Sequence, residues 1–286
     1  MPSLIDIRRR IRSVKNTQQI TKAMKMVSAA KLRRAQDRVI AARPYGSMLR
    51  KMLGNVASAM AGDESAGTNP LLAQREEQRI LLVLVTSDKG LAGAFNTNLI
   101  KAAQRFMAEH KGAAVRMVLI GRKGRDFFRK RGASVLSDHI NMASKIVYAD
   151  VASIAGKAME LYRNEEIDAV YLIYNEFKSV VAQTLVTNRV LPIQLPEQTN
   201  PPDYIFEQSP MEMLNALLPR YVETEFYRAL AESTAAEHAA RMTAMEAATS
   251  NAGDMIEKLT LYMNRVRQAS ITKEIIEVVS GAAAAE

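Results

Sequence analysis

The loop at residues 86–93 has the residue types that can hold a phosphate group, since it contains glycines and joins a predicted strand to a predicted helix. Its sequence is Thr-Ser-Asp-Lys-Gly-Leu-Ala-Gly, with Lys89 as its cation. Backbone N–H groups at such a junction bind anions. Neither this loop nor the segment 121–124 has the spacing G-x-x-x-x-G-K-[ST] or G-x-G-x-x-G. A structural turn or a docking loop is therefore expected, and no cofactor.

Nucleophilic and metal-ligating side chains are scarce. The chain of 286 residues has no cysteine and three histidines, at positions 110, 139 and 238. The lack of cysteine excludes disulfides, thiolate nucleophiles and Cys-ligated zinc. The histidines have no partners at HExxH or Ser/His/Asp spacing. We expect neither a metal site nor an active site in this chain.

Charge is distributed unevenly. Residues 1–55 hold 14 Lys and Arg against Asp6 and Asp37, a net charge of +12. Residues 205–286 hold 7 basic and 12 acidic residues, a net charge of −5. Two oppositely charged ends can pair with each other. The basic face of the N-terminal segment is expected to be solvated surface, with specific anion binding as the alternative.

A long helix is predicted over residues 3–60, because apolar residues recur there at spacings of three and four. The stripe begins at Leu4, slips after Val14, resumes at Ile20, Met24 and Val27, and slips again. From Leu32 to Met60 it is unbroken. Pro44 is expected to kink this helix locally.

A second long helix is predicted over residues 209–283. Ser209 and Glu212 form a capping box, with Pro210 at the first helical position. Pro219 is expected to kink or restart the helix. The predicted seam residues of its later part are Met245, Ala248, Ala252, Met255, Leu259, Tyr262, Val266 and Ala269.

The middle of the chain has the pattern of a βαβ domain. Short apolar runs predict strands at residues 80–85, 115–120, 133–136 and 169–174, separated by helical segments. Residues 183–191 are rich in β-formers and are expected to close the sheet as an antiparallel edge strand.

These elements predict an α/β protein, in which the N- and C-terminal segments form a long antiparallel two-helix coiled coil and a Rossmann-like βαβ domain is inserted between them. The predicted parts are the helix at 1–60, a loop at 61–78, the inserted domain at 79–195, a linker and foot at 196–208 and the second helix at 209–286. The pairing is antiparallel because both inner ends emerge from the same domain. It sets residue 55 near 215 and residue 5 near 265.

This register leaves residues 265–286 as a protruding tip with no partner in the chain. The tip is helix-forming and carries Val266, Ala269, Ile271, Ile275, Ile276, Val278 and Val279. Burying this surface, at roughly 1.5 kcal/mol per side chain, would contribute on the order of 8–10 kcal/mol. We therefore expect neighbouring chains to enclose the tip. The alternatives are a frayed end or a helix that folds back on its own chain.

The two ends together resemble the gamma subunit of the F-type ATP synthase, the central-stalk rotor. The N-terminal match runs from Ile7 to Val27, and the C-terminal match fits the family signature I-T-x-E-x-x-[DE]-x-x-x-G-A at residues 271–282. The segments at 221–223, 239–245 and 88–91 are also similar to the family. At Ala92 the family often has Cys, so a role for that thiol is absent here.

The resemblance implies a rotor inside a hexamer of alternating alpha and beta subunits, turned by a proton-driven c-subunit ring. By motif position, it assigns contacts with the catalytic head to Arg267, Gln268, Thr272, Lys89, Ile275, Ile276 and Val279. It assigns contacts with the c ring and the epsilon subunit to Tyr204 and Glu207. It also implies a subunit that helps regulate ATPase activity and proton flow, without a catalytic site of its own. The expected location is the cytoplasmic face of the bacterial inner membrane, as a peripheral subunit without membrane insertion.

Two other functions are compatible with parts of the sequence. A basic coiled-coil protein could bind nucleic acid through its +12 segment, although Tyr45 is the only aromatic residue there and offers little stacking surface. A nucleotide-dependent enzyme could be built on residues 79–192, but the glycine spacing disfavours it.

Overall fold

The computed structural model describes residues 3–59, 69–195 and 208–283, with side chains described up to residue 280. The chain divides into two compact units. The first consists of Met1–Ser28 and Arg241–Glu286, and the second of Ala29–Ala240. Tyr204 and Glu207, the residues assigned to the c ring and epsilon subunit, lie outside the described residues.

Two long helices begin and end the fold. Helix α1 spans Leu4–Ala59 and is the helix predicted for the N-terminal segment. Its start is capped as a capping box, in which the Asp6 N–H donates to Ser3 Oγ at 3.3 Å and the Ser3 N–H donates to Asp6 Oδ2 at 3.3 Å. Both α1 and the last helix, which spans Pro210–Ala283, continue through their internal prolines, Pro44 and Pro219.

The second unit contains a five-stranded sheet with the order β3-β2-β1-β4-β5. Its strands are β1 (Arg79–Val85), β2 (Ala114–Ile120), β3 (Val135–His139), β4 (Ala169–Phe177) and β5 (Gln183–Leu191). The first four are parallel and β5 is antiparallel to β4, as predicted. The connecting helices are α2 (Phe95–Glu109), α3 (Arg122–Arg129) and α4 (Tyr148–Arg163), so the last helix, Pro210–Ala283, is α5.

The core of the second unit joins the sheet to both long helices. Strand β1 is buried at every residue after Arg79, as expected of a central parallel strand covered on both faces. Leu53 of α1 and Leu218 and Phe226 of α5 belong to the same hydrophobic cluster as the sheet residues. The predicted α/β fold is therefore confirmed, with the β domain packed against the helices that flank it in sequence.

Within each unit the two long helices run antiparallel. In the first unit, Thr21 and Thr249 share a hydrogen bond of 2.7 Å, and Lys25 pairs with Glu246 at 2.6 Å. In the second, Arg43 pairs with Glu232 at 3.2 Å and Arg50 with Glu225 at 3.4 Å. Rising residue numbers on α1 thus meet falling numbers on α5, in the register predicted from the chain order.

The predicted phase slips in the α1 seam are wrong. Ile20 and Val27 are 60% and 55% exposed, whereas Thr21 and Ser28 are only 8% and 2% exposed. The three-and-four spacing continues from Val14 to Leu32 without a break, through four polar positions: Gln18, Thr21, Lys25 and Ser28. The prediction followed apolar residue types, but polar side chains face α5 here: Thr249 binds Gln18 and Thr21, and Glu246 binds Lys25.

The predicted α5 seam is wrong at every second position of its later part. Leu259 and Val266 are half-buried as predicted. Met255, Tyr262 and Ala269 are exposed, and the half-buried residues are instead Ile256, Met263 and Ser270. The inward-facing positions step by four residues from Ala252 to Ile256, where the prediction assumed three. The observed positions still keep a seven-residue repeat, so the predicted period was right, and the error lay in choosing the residue three rather than four positions after Ala252, Leu259 and Val266.

Candidate functional site

The apolar end of α5 is exposed. Every side chain from 271 to 280 is exposed, and the isoleucines and valines of this stretch range from 48% to 71% exposure: Ile271, Ile275, Ile276, Val278 and Val279. They belong to the first unit, and no described part of the chain covers them. An apolar surface of this extent on a water-facing helix marks a contact with another molecule.

The polar residues assigned to the head contact lie on the same helix, immediately before the apolar end. Gln268, Thr272, Ile275 and Val279 share one helical face, because each lies within about 40° of a common direction at 100° per residue. Arg267 and Ile276 flank that face on opposite sides. Both Arg267 and Gln268 are exposed, so their side chains are available to a neighbouring chain.

Some polar side chains of this segment already have partners within the helix. Thr272 Oγ1 donates to the backbone carbonyl of Gln268 at 3.0 Å, so its hydroxyl already has an acceptor within the helix. Lys273 pairs with Glu277 at 3.5 Å, one turn along. Both side chains of this pair are exposed, and it supports the helix itself rather than a specific contact.

Lys89 lies in the second unit, at the carboxyl end of β1. The loop that carries it is fixed by Asp88, whose carboxylate accepts the Arg122 N–H at 3.1 Å and the Asn141 N–H at 2.9 Å. Asp88 therefore joins the loops that follow β1, β2 and β3. The neighbouring Leu91 has a positive φ of 61° and is exposed. The loop thus presents Lys89 and Leu91 from a braced backbone.

The same loop region is packed as a structural turn. Thr86 Oγ1 accepts the Gly124 N–H at 2.9 Å and donates to the Ile120 carbonyl at 3.1 Å. A Cβ on Gly121 would lie 2.1 Å from the Thr86 carbonyl oxygen, so glycine is required there for close approach of the two segments. The Gly124 N–H is therefore bound to Thr86 and not open to an anion.

His110 and His139 lie on different elements of the second unit, at the ends of α2 and β3. His110 stacks on Phe106, with ring centroids 4.2 Å apart, at the end of α2. His139 lies beside Ser137 at 3.2 Å, and burial together with the charge of Lys157 lowers the pKa of its imidazole. Among residues 3–59, 69–195 and 208–280, no cluster of His, Asp or Glu has a geometry that could hold a metal ion.

Sequence reasoning missed the bracing role of Asp88 and the polar part of the α1 seam. The signal for Asp88 was its position three residues after a buried strand, near where the carboxyl ends of parallel strands meet. The signal for the seam was the unbroken heptad count through Gln18, Thr21, Lys25 and Ser28, which is visible once residue polarity is ignored.

The similarity to known proteins extends over almost the whole chain. The family profile described as ATP synthase matches residues 3–285. The chain is similar to the ATP synthase gamma chain of Solibacter usitatus, with 76% identity over 286 residues and all of both chains covered. It is 48% identical to the ATP synthase gamma chain of Pelotomaculum thermopropionicum, again over the full length of both.

Solved structures with a similar fold come from larger assemblies. One is the central stalk and c ring of the Tetrahymena thermophila mitochondrial ATP synthase, with 26% identity, a TM-score of 0.63 and coverage of 80% of this chain and 99% of that one. Another is a chain of the Euglena gracilis mitochondrial ATP synthase, which shows the same fold at 19% identity and a TM-score of 0.67, with 98% and 94% covered. In the described part of this chain, no helix is long and apolar enough to cross a membrane.

Proposed function

Because this chain belongs to the ATP synthase gamma-chain family, it is a subunit of that complex, and we propose that it works as the central rotor shaft that couples the c ring to the catalytic beta subunits. The exposed apolar end of α5 is the observation that carries this proposal. Hydrophobic contact is non-directional, so an apolar tip can turn inside an apolar sleeve while each lost contact is replaced by an equivalent one.

We propose that Arg267, Gln268 and Thr272 make the angle-dependent contacts with the head. Hydrogen bonds weaken steeply when their geometry departs from linear, so a polar group distinguishes orientations that an apolar surface does not. The exposure of Arg267 and Gln268, next to the apolar stripe on one helical face, supports this role. Lys89 would make a further head contact from its braced loop, and Tyr204 and Glu207 would meet the c ring and epsilon subunit.

In this proposal the chain has no active site of its own. It transmits torque and helps regulate ATPase activity and proton flow, while the beta subunits carry the chemistry. The alpha and beta subunits, the epsilon subunit and the c ring are its partners. A peripheral position at the cytoplasmic face of a bacterial inner membrane fits the bacterial origin of both curated relatives named above. The comparisons give the nucleic-acid-binding alternative no support.

Removal of residues 271–286 from the assembled complex tests the sleeve. We expect proton-driven ATP synthesis in membrane vesicles to fall strongly, because the truncated tip can no longer be held on the axis of the head. Ile276→Ala is the mild comparison, since it removes one apolar side chain among several. Unchanged coupled synthesis after the truncation would contradict the sleeve.

Arg267→Ala tests the polar contact separately. We expect the variant complex to assemble normally but to hydrolyse and synthesise ATP at an altered rate. Arg265→Ala is the matched control, because Arg265 is an exposed arginine two residues away on a different helical face. Equal turnover in the two variants would remove the angle-dependent role from Arg267.

A further inference from the structure

A cleft of about 820 Å³ lies within the second unit, between α1, α5 and the β domain. None of the residues proposed above to contact the head lines it. Small residues of α1 make room for it: Ala41, Ala42, Gly46 and Ser47 line its wall. Its volume falls in the range of about 300–1,000 Å³ that is usual for small-molecule sites.

Cations outnumber carboxylates in the lining. Five basic side chains face the cleft, namely Arg38, Arg43, Arg50, Lys51 and Arg228, against the two carboxylates Glu176 and Glu232. Two more carboxylates bind lining residues from outside the cleft, Glu225 beneath Arg50 and Glu223 on Tyr148, which leaves an excess of one positive charge. Four of the five cations belong to the strongly basic N-terminal segment, so part of the positive charge of that segment faces this cleft.

Two of the arginines are held in place from beneath by buried carboxylates. Arg43 binds Glu232 through Nε and Nη2, and Arg50 binds Glu225 through Nη2 at 3.4 Å. Both arginine side chains remain about half exposed, at 52% and 50%, while the glutamates are almost fully buried. Each guanidinium has five N–H donors, so both keep donors for a ligand on their open side.

Arg38 differs from Arg43 and Arg50 in its ion pairing. It is exposed, lines the cleft and forms an ion pair with no residue that the structure describes. A third guanidinium without a carboxylate partner gives the cleft a donor whose charge is not already offset. Planar guanidinium groups bind phosphate oxygens through two parallel hydrogen bonds, which a compact ammonium cannot do.

Aromatic rings form another part of the wall. Tyr45, Tyr148 and Tyr227 line the cleft, and the rings of Tyr148 and Tyr227 lie 5.8 Å apart between centroids. The Tyr148 hydroxyl donates to Glu223 at 2.8 Å, which fixes the ring. Burial and this hydrogen bond raise the pKa of the Tyr148 phenol to about 12, so it stays neutral beside an anionic ligand. Tyrosine faces stack on planar rings such as nucleobases.

We propose that this cleft binds a nucleoside polyphosphate, with the phosphates on Arg38, Arg43 and Arg50 and the base against Tyr148. Fixed guanidinium groups beside aromatic rings match a ligand that has both phosphates and a planar base. An acidic peptide would satisfy the charges but would not use the rings. The inference is independent of the proposed rotor contacts, because none of those residues lines the cleft.

Isothermal titration of the full-length chain at physiological ionic strength tests the proposal. ATP, tripolyphosphate, adenosine and hexaglutamate are the four probes. We expect ATP to bind with one-to-one stoichiometry, more tightly than tripolyphosphate and far more tightly than adenosine or hexaglutamate. Arg38→Ala should weaken ATP binding roughly tenfold, as expected for loss of a charged hydrogen-bond donor. Tyr148→Leu should reduce the ATP affinity to that of tripolyphosphate.

The matched control is Arg34→Ala, an exposed arginine one turn earlier on α1 that does not line the cleft. Equal loss of affinity in Arg34→Ala and Arg38→Ala would show general attraction to a basic helix and overturn the proposal. Hexaglutamate binding as tight as ATP would assign the cleft to acidic peptides and also overturn it. Absence of ATP binding at millimolar concentration would do the same, and thermal unfolding of each variant would check that it is folded.

Discussion

Asp168 is a buried carboxylate at the start of β4 that fastens this strand to β1. It accepts the Arg79 backbone N–H at 2.8 Å, and the Arg79 guanidinium donates to both of its oxygens at 3.1 and 2.7 Å. These hydrogen bonds to Arg79 hold the pKa of Asp168 below its ordinary 3.8. The ionised form is therefore favoured by folding.

Asp168→Asn is expected to lower the free energy of unfolding at neutral pH by about 1–3 kcal/mol, because it loses the charge-assisted bonds to Arg79. Because the folded-state pKa is lowered, the stabilisation is present above pH 3.8 and is lost as pH falls through the lower folded value. Urea unfolding at a series of acidic pH values would measure both effects. An unfolding free energy that falls as steeply with acid in the variant as in the parent would contradict this assignment.

Tyr171 of β4 has a pKa shift in the opposite direction to that of Asp168. Its hydroxyl donates to Glu77 at 2.9 Å, and burial together with that bond raises the pKa of its phenol to about 12. A raised folded-state pKa stabilises the fold below pH 10, and this contribution is lost as pH rises towards 12.

Tyr171→Phe should therefore flatten the alkaline part of the stability profile, because the group that titrates is gone. Thermal unfolding between neutral and strongly alkaline pH would show it, with Tyr262→Phe as the control on an exposed tyrosine. Parallel alkaline profiles for Tyr171→Phe and the parent would count against the role of Tyr171.

At the scale of elements, the helix pair of the first unit contains a polar stretch inside an otherwise apolar or small-residue seam. Thr21 and Thr249 meet at 2.7 Å, and Gln18 donates to the Thr249 carbonyl at 3.3 Å. Buried polar pairs of this kind add little net stability, yet each member is costly to leave unpaired. These polar contacts therefore select one register between α1 and α5, and they add little to the stability of the helix pair.

A double-mutant cycle on these threonines would test that balance. Thr21→Val and Thr249→Val, made singly, should each destabilise the chain by less than about 1 kcal/mol. The remaining hydroxyl loses the contact across the pair but keeps its bond to a carbonyl of its own helix, that of Gln18 at 3.0 Å or of Met245 at 2.7 Å. The double variant should be as stable as the parent or more so, since both polar groups are replaced by methyl groups of similar volume. Strictly additive losses in chemical denaturation would show that the two hydroxyls do not interact.

The helices and strands were predictable from sequence, but which residues of the long helices point inward was not. The strands, the connecting helices, the antiparallel edge β5 and the two long helices all follow from apolar periodicity and capping residues such as Ser3 and Asp6. The inward face of α1 between Gln18 and Ser28 did not, because tertiary contacts with α5 bury polar types there. The Arg-lined cleft was also unpredictable, since α1, α4, β4 and α5 meet there from distant parts of the chain.

At the scale of the whole molecule, the chain keeps an apolar surface that it does not cover with described residues of its own. The side chains of Ile275, Ile276 and Val279 are all more than half exposed. Such a surface contributes nothing to the stability of the isolated chain. It makes the subunit dependent on an assembly that encloses it.

The isolated full-length chain should therefore self-associate at micromolar concentration, whereas a variant that ends at residue 270 should remain monomeric. At concentrations low enough to keep both monomeric they should unfold at the same temperature, because the removed side chains are exposed and association would itself stabilise the folded chain. Sedimentation velocity would measure the association and calorimetry the unfolding. A lower unfolding temperature in the shortened chain would show that residues beyond 270 pack on the rest of it.

Helix α5 continues without a break from Pro210 to Ala283. Each residue of a continuous α-helix adds a fixed rotation and a fixed rise. Inserting or deleting one residue between Ala252 and Arg267 would therefore rotate everything beyond it by about 100° and shift it by about 1.5 Å along the axis. Gln268 and Val279 would then point away from the direction in which they now point. Evolution is consequently free to exchange side chains along this stretch but not to change its residue count, so homologous sequences should carry their length differences elsewhere.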